Sequence, residues 1–567
     1  MPESATSQFH PLNKLQRIRP IFIFASALLS LSLQCLLADE PGKSILQRTD
    51  DDHKEVAQIH LRDSAERLLK ATVFIRSAGD SASGVLISDS GLILTTAHSL
   101  PTEAASKSLN VVVMLHDRRS MKATVLVTDL SKDLALLRLH RPTPALPAPL
   151  PIADVKAVSR DQLDSATVLA AGFPGREHGA SSAVVRLGKI VFQDNSTLRS
   201  TCTLTAGDSG GPLVRTDVTL IGLHWRIGAA SDHNQHVSAA IIRQFVADWN
   251  NELPMPSTSN EQMSSTTVLP ASSKIDSEFR RRVVSLAVTS PDADSVTQLG
   301  VGTLLNDRHI AAKLSQLRNS QNIVCRTAET NEYVPAELIA HSRTDDLAIL
   351  RFTAWNQIVP ELKQVTECTT NEIVYASGLS RPGIISRVQH SEQSLPARFG
   401  ASLTDQGASS GMLVTDVSLN STAFLCGIRK ADVLMSIAPL NDRLPEGQNL
   451  HDLEQLFDSL QPGDWVQVQY RRNETVTTAT GQLSIDPAAE FDRTEFLDGR
   501  SGPLSARRSG FNEVLQHDIP ISPESCGGPL LNSHGELIGI NIARRSREST
   551  LALPISRVLQ LAGTAPN

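Results

Sequence analysis

The sequence predicts a mainly β protein made of two copies of a double β-barrel, the second interrupted by a small α+β unit. Three observations carry this. Short β-runs separated by Gly, Asp, Asn and Ser turns fill most of the chain. The run pattern of residues 73–250 returns after residue 276, a period far longer than a solenoid repeat. Within the return, residues 396–487 break the pattern with a helical segment at residues 451–460. At 567 residues the chain is too long for one core. The net charge of −7 and the lack of a long basic block exclude nucleic acid as an expected partner.

The first 38 residues stand apart. Lys14, Arg17 and Arg19 precede an uncharged run over residues 21–37, and Ala38 offers a cleavage point before Asp39-Glu40. This reads as a secretory signal peptide, residues 1–38, and implies a secreted or periplasmic protein. The alternative is an uncleaved membrane anchor over residues 21–37, the only route by which a membrane would be a partner. Cys202, Cys325, Cys368, Cys426 and Cys526 follow, an odd number with wide spacing and no disulfide framework. No His/Cys cluster has metal-ligand spacing, so neither metal nor cofactor is expected.

The first copy, residues 39–250, opens with a helix over residues 55–70. Strands follow at residues 73–75, 83–87 and 92–95, the last two forming a hairpin about Ser88-Asp89-Ser90-Gly91. Residues 111–115, 123–128 and 135–139 continue the barrel. A Pro-rich crossing at residues 142–151 leads to strands at 168–172, 184–192, 220–225 and 235–237, and a helix at 241–249 closes the unit.

Three motifs carry the chemistry. Thr95-Thr96-Ala97-His98 ends one strand, Asp133-Leu134-Ala135-Leu136-Leu137 opens another, and Gly207-Asp208-Ser209-Gly210-Gly211-Pro212-Leu213 sits in a glycine-rich turn. The order His, Asp, Ser suits nucleophilic acyl transfer on paired β-barrels. Together with Gly172-Phe173-Pro174-Gly175, these motifs resemble the HtrA-like branch of trypsin-fold serine proteases. The resemblance implies Ser209 as nucleophile, His98 as general base and acid, and Asp133 as the carboxylate orienting His98. The N–H groups of Gly207 and Ser209 would form the oxyanion hole. Asp208 departs from the Asn usual in that branch. In digestive trypsins an Asp there pairs with a newly cut N-terminus, and no matching activation site is visible. His224-Trp225 resembles a strand of glutamyl endopeptidases in which the His contacts an acidic substrate side chain. Arg226 would add charge at that mouth. The competing reading makes His224 a packing residue.

Residues 251–275 are rich in Pro, Ser and Thr and read as a tether. The second copy takes residues 276–395 and 488–567. Gly302-Thr303-Leu304-Leu305 matches the Gly84 strand, Asp346-Leu347-Ala348-Ile349-Leu350 matches the Asp133 segment, and Cys526-Gly527-Gly528-Pro529-Leu530 matches the Ser209 turn. The chemistry is not copied. Ala311-Ala312-Lys313-Leu314 carries no imidazole, Glu524 replaces Gly207, and Cys526 replaces Ser209. Lys313, Asp346 and Cys526 therefore mark a degenerate site, for which His309 and His517 are conceivable bases. The insert, residues 396–487, resembles an HtrA-type PDZ domain, with Phe399-Gly400-Ala401 as the loop that would hold a peptide C-terminal carboxylate.

The expected function is a serine endopeptidase acting on polypeptides in envelope protein quality control, with C-terminal peptides as further partners at the PDZ-like unit and homo-oligomers left open. The alternative is a peptide-binding scaffold that uses the PDZ-like and degenerate units.

Overall fold

A computed structural model describes residues 45–77, 80–101, 110–140, 145–154, 166–175, 182–228, 230, 233–249, 273–290, 293–317, 320, 322–328, 332–352, 362, 368–376, 381–392, 394–406, 411–440, 442–485 and 493–564. The expected signal peptide and most of the expected tether lie outside the described residues. The chain divides after His53. Of the first unit only the helical backbone from Ile45 is described. No helix among the described residues is long and apolar enough to cross a membrane.

From Lys54 onward, the described residues form four closed six-stranded barrels and one open sheet. In the first barrel, β1 (Thr72–Ser77), β2 (Asp80–Leu86), β3 (Leu92–Thr95), β4 (Asn110–Met114), β5 (Ser120–Asp129) and β6 (Leu134–Leu139) run in the order β1-β2-β3-β6-β5-β4. The second comprises β7 (Thr167–Gly172), β8 (Val184–Gln193), β9 (Thr197–Ser200), β10 (Pro212–Arg215), β11 (Leu220–Arg226) and β12 (Asn234–Ser238), with the same circular order. The third repeats it with β13 (Val283–Ser290), β14 (Ala293–Leu304), β15 (His309–Lys313), β16 (Ile323–Thr327), β17 (Val334–Ser342) and β18 (Leu347–Phe352).

The fourth barrel is split. After β19 (Ile373–Ala376) and β20 (Gly383–Glu392) the chain leaves to form an open sheet. Its strands β21 (Ala401–Asp405), β22 (Met412–Val417), β23 (Val433–Pro439), β24 (Trp465–Arg472) and β25 (Thr475–Gln482) lie in sequence order. The chain then returns as β26 (Phe511–His517), β27 (Pro529–Asn532), β28 (Leu537–Arg544) and β29 (Thr550–Pro554). The barrel closes as β19-β20-β26-β29-β28-β27, the order of the other three.

Alternation builds each barrel. In the first, Val73, Ile75, Ile93, Val113 and Leu137 turn inward and are buried together, while Arg76 and Arg138 point outward. Each buried aliphatic side chain contributes roughly 1.5–3 kcal/mol. Helix α1 (Ile45–Ala71) reaches ten residues further back than the apolar spacing indicates. Its Leu61, Ala65 and Leu68 are fully buried. Gln58 ties it to the fourth barrel, accepting the Ile373 N–H at 2.8 Å and donating to the Asn371 carbonyl at 3.2 Å. Helices α2 (Ala239–Trp249) and α3 (Ser273–Arg282) follow the second barrel. Helix α3 starts inside the segment expected to be tether. Strand β9 escapes the sequence reading because it is four residues long and only Leu198 in it is apolar.

The two copies meet through β8 and β20. Asp518 is buried between them and accepts the N–H groups of Leu187 and Ile384, each at 2.7 Å. One carboxylate thus ends an open position on each of two barrels.

Candidate active site

The first two barrels bring His98, Asp133 and Ser209 together. A 3-10 turn, Ala97–Ser99, follows β3, and Asp133 lies just before β6. The pairing of Thr95 with Ala135 places the ends of these strands side by side. Asp133 adopts φ +53°, a left-handed conformation unusual for a side-chain-bearing residue. Its Oδ1 accepts the His98 backbone N–H at 2.8 Å, and its Oδ2 meets His98 Nδ1 at 2.6 Å. His98 Nε2 lies 3.2 Å from Ser209 Oγ. The carboxylate is mostly covered, whereas the imidazole is 44% exposed. This arrangement fixes the tautomer with a proton on Nδ1 and leaves Nε2 to accept from the hydroxyl.

Ser209 is held from the opposite barrel. The Ser83 N–H donates to the Ser209 carbonyl at 2.9 Å, and Ser83 Oγ donates to the Gly207 carbonyl at 2.8 Å. Ser83 Oγ also accepts the Phe173 N–H at 2.9 Å, and Thr95 Oγ1 donates to the Ser83 carbonyl at 2.8 Å. Sequence reasoning treats Ser83 as an ordinary strand residue, because its partners lie 90 and 124 positions away. Gly207 has φ +94°, and a Cβ there would stand 2.4 Å from the Phe173 carbonyl oxygen. Among the described residues no acceptor takes the Gly207 or Ser209 N–H. Two donors beside a hydroxyl nucleophile suit the oxygen of a tetrahedral intermediate.

Asp208 faces away from the site. It is 1% exposed, and its Oδ1 receives Arg186 Nη1 at 3.0 Å while its Oδ2 accepts the Thr205 N–H at 2.8 Å. Arg186, from β8, is thus the partner of Asp208 within the chain itself. Burial raises the Asp208 carboxyl and the Arg186 guanidinium opposes it.

His224 is not where a substrate side chain could reach it. The residue is fully buried, and its Nδ1 meets His236 Nδ1 at 3.0 Å inside the second barrel. Burial holds both rings well below the usual histidine range, His236 at about 3, so the pair is neutral and one ring donates to the other. Arg226 is exposed and lies over the Trp225 ring at 4.0 Å. The expectation that these two residues form a pocket for acidic side chains is corrected. Burial gives His224 a packing role, and Arg226 is occupied by its aromatic neighbour.

In the second copy the frame persists and the chemistry does not. Asp346 has φ +53°, as Asp133 does. The register of β15 on β18, Ala312 with Ala348, puts Ser315 rather than Lys313 in the place of His98. Lys313 stands where Thr96 stands and turns into the site, nearly inaccessible. Its Nζ donates to Asp346 Oδ2 at 2.6 Å and to the Ile542 carbonyl at 2.6 Å. Cys526 is fully buried, 3.6 Å from Ser505 Oγ, and burial pushes its thiol up. His517 is occupied on both nitrogens, by Asn541 Oδ1 at 2.8 Å and the Ile519 N–H at 3.2 Å, and burial lowers it to about 4. His309 pairs with Asn306 in a surface turn. No base reaches Cys526 among the described residues.

In the inserted sheet, Gly400 has φ +78° and its carbonyl accepts the Ser418 N–H at 3.0 Å. Phe399 is buried and stacks on Phe457 of helix α4 (Leu450–Ser459). Ala401 begins β21, the edge strand, which lies beside α4.

Residues 82–223 match the family model of the trypsin-like peptidase domain. A protein named probable periplasmic serine endoprotease DegP-like, from Pseudomonas fluorescens, is 29% identical over 182 residues, 31% of this chain and 36% of its own. Serine protease HTR4 of Bos taurus is 28% identical over 211 residues, 36% of this chain and 41% of its own. The DegP-like protein of Halomonas elongata is 23% identical over 379 residues, 64% of this chain and 72% of its own. The chain thus spans about two fifths of the length of the first two. A solved serine endoprotease from Yersinia pestis covers 75% of this chain and 97% of its own at 14% identity, with a TM-score of 0.28. The first pair of barrels is thus similar to a trypsin-like peptidase domain, and the chain is similar to HtrA-like serine proteases.

Proposed function

We propose that the protein is a serine endopeptidase that cleaves polypeptides through an acyl-enzyme on Ser209. The observation that carries this is the continuous hydrogen-bonded line from Asp133 through His98 to Ser209 Oγ. His98 Nε2 takes the Ser209 proton as Oγ attacks the scissile carbonyl. The N–H groups of Gly207 and Ser209 stabilise the oxyanion, and His98 returns the proton to the leaving amine. Water then attacks the acyl-enzyme by the same route. Asp133 keeps its charge throughout and orients the ring.

The proposal divides the chain into a peptidase at residues 39–250, a non-catalytic copy at 276–395 and 488–567, and a PDZ-like unit at 396–487. Phe399-Gly400-Ala401 and the free edge of β21 would receive a peptide C-terminus as an added strand. The periplasmic naming of the relatives supports a periplasmic or secreted location. A role in envelope protein quality control is part of the proposal.

The test uses the chain from Asp39 onward and its Ser209→Ala variant. Fluorophosphonate labelling of Ser209, with casein cleavage by the unaltered chain alone, is the expected result. Absence of labelling, or equal cleavage by both chains, overturns the assignment.

A further inference from the structure

The second copy grips the first around the turn that carries Ser209. Asp518, just past β26, is buried, and each of its oxygens takes one backbone N–H, Ile384 of its own copy and Leu187 of the other. A Cβ on Gly383 would stand 2.4 Å from Asp518 Oδ1, so glycine is what leaves room for the carboxylate. Leu187 is the neighbour of Arg186 on β8, and Arg186 holds Asp208, which stands between Gly207 and Ser209.

Three arginines of the second copy reach the same region. Arg381 Nη1 donates to the Thr201 carbonyl at 3.0 Å, Arg387 Nη2 to the Ser182 carbonyl at 3.4 Å, and Arg547 Nη2 to the Gly228 carbonyl at 3.1 Å. The Gly228 N–H donates to Asn234 Oδ1 at 3.2 Å, and Asn234 Nδ2 donates to the Cys202 carbonyl at 2.9 Å.

These bonds bracket one run of chain, residues 201–209. Arg381 holds its start, Asn234 its second residue, and Arg186 its end through Asp208. Asp208 Oδ2 accepts the Thr205 N–H, which closes the run into the turn where Gly207 takes φ +94°. The bonds between His98 and Asp133, by contrast, lie within the first barrel and its adjoining turns. Oxyanion donors act by being held in place before the reaction, and a displacement of about 1 Å can cost about 10²-fold in rate. A buried carboxylate with both oxygens on backbone N–H groups is a stiff link between two barrels, since leaving either N–H bare is costly.

We propose that the second copy is a built-in brace for the oxyanion turn of the first, with Asp518 as its central positioning residue. The copy whose cysteine has no base thus serves the reaction of the other, by fixing where the Gly207 and Ser209 N–H groups point. Asp518 itself touches neither substrate nor reacting atoms. The inference rests on the peptidase reading above.

The experiment compares the chain from Asp39 onward with its Asp518→Asn and Arg381→Met variants. In Asp518→Asn one of the two N–H groups faces an amide NH2 whichever way the side chain turns, so the link breaks at nearly constant volume. Turnover of a fluorogenic peptide gives kcat, KM and the acidic limb of kcat/KM, which His98 sets. A peptide aldehyde probes the turn directly, because its adduct with Ser209 puts an oxyanion on the two N–H donors. Asp518→Asn is expected to lower kcat about 10- to 100-fold and to weaken the aldehyde by a similar factor, with KM and the acidic limb unchanged. Arg381→Met should show the same pattern to a smaller extent. A merely structural role removes folded enzyme and lowers the apparent kcat, yet leaves the inhibition constant where it was, and that result overturns the proposal. Unchanged kcat in folded Asp518→Asn overturns it too, as does a shifted acidic limb, which would place the damage at His98. If Asp518→Asn fails to fold by circular dichroism, Arg381→Met decides. Weaker aldehyde binding at an unchanged Tm then supports the proposal, and unchanged binding overturns it. Failure of the unaltered chain to label with a fluorophosphonate counts against the peptidase reading itself, and this inference falls with it.

Discussion

Ser315 occupies the position of His98 and satisfies the same acid in the same way. Its N–H donates to Asp346 Oδ1 at 2.7 Å and its Oγ donates to Oδ2 at 2.9 Å. In the first copy the His98 N–H and Nδ1 meet Asp133 at 2.8 and 2.6 Å. Asp346 keeps this place with no imidazole beside it, because it also holds the backbone of the turn. The Ser315 carbonyl goes on to accept Trp465 Nε1 at 3.2 Å, which ties the inserted sheet to this turn.

Restoring the imidazole will therefore not restore a site. Ser315→His leaves Lys313 on Asp346 and leaves Cys526 without access to solvent. Iodoacetamide is expected to modify Cys526 only after denaturation, in both the natural chain and Ser315→His. Peptide mapping of native and denatured samples checks this.

Asp133→Asn should lower kcat by about 10⁴-fold at neutral pH, because an amide in that place favours the wrong imidazole tautomer. Steady-state turnover of a fluorogenic peptide measures it, and a loss below tenfold would contradict the role given to Asp133.

Gly207→Ala should lower kcat by about 10²–10³-fold and also lower Tm. The added methyl meets the Phe173 carbonyl and the φ of +94° strains any residue but glycine. Parallel kinetics and thermal unfolding separate the two effects.

Asp208→Asn introduces the residue usual in HtrA-like sequences, yet it should destabilise this chain by about 3–5 kcal/mol. It removes the negative charge that balances a guanidinium buried to 1% exposure. Arg186→Met added to Asp208→Asn should recover much of the loss. Urea denaturation midpoints give the comparison.

Stability should fall as the pH drops from about 6.5 towards 3. His236 and His517 are buried neutral, with pKa values lowered to about 3 and 4. In that window the unfolded chain binds protons that the folded chain does not, so acid favours unfolding. His236→Gln should make the decline of Tm with falling pH shallower, and an unchanged slope would count against this account.

Much of the fold is legible locally. Alternating apolar residues and Gly-Asp-Ser turns mark the strands around Val73, Gly84 and Leu94, since burial on one face of a strand has period two. The repetition of that pattern from Val283 onward anticipates a shared strand order. His98, Asp133 and Ser209 announce themselves because each sits in a short motif at a strand end.

The β-runs, their duplication and the residue types available for acyl transfer are written locally in the chain, because periodicity and turn chemistry act over a few residues. What each polar side chain faces is set by the folding of distant segments onto one another. That folding buried His224 against His236, gave Asp208 to Arg186, and slid Ser315 rather than Lys313 into the place of His98. It also carried Arg547 across from the other copy to Gly228. These outcomes follow from barrel closure and register, which pair residues tens to hundreds of positions apart and leave no local trace in the chain.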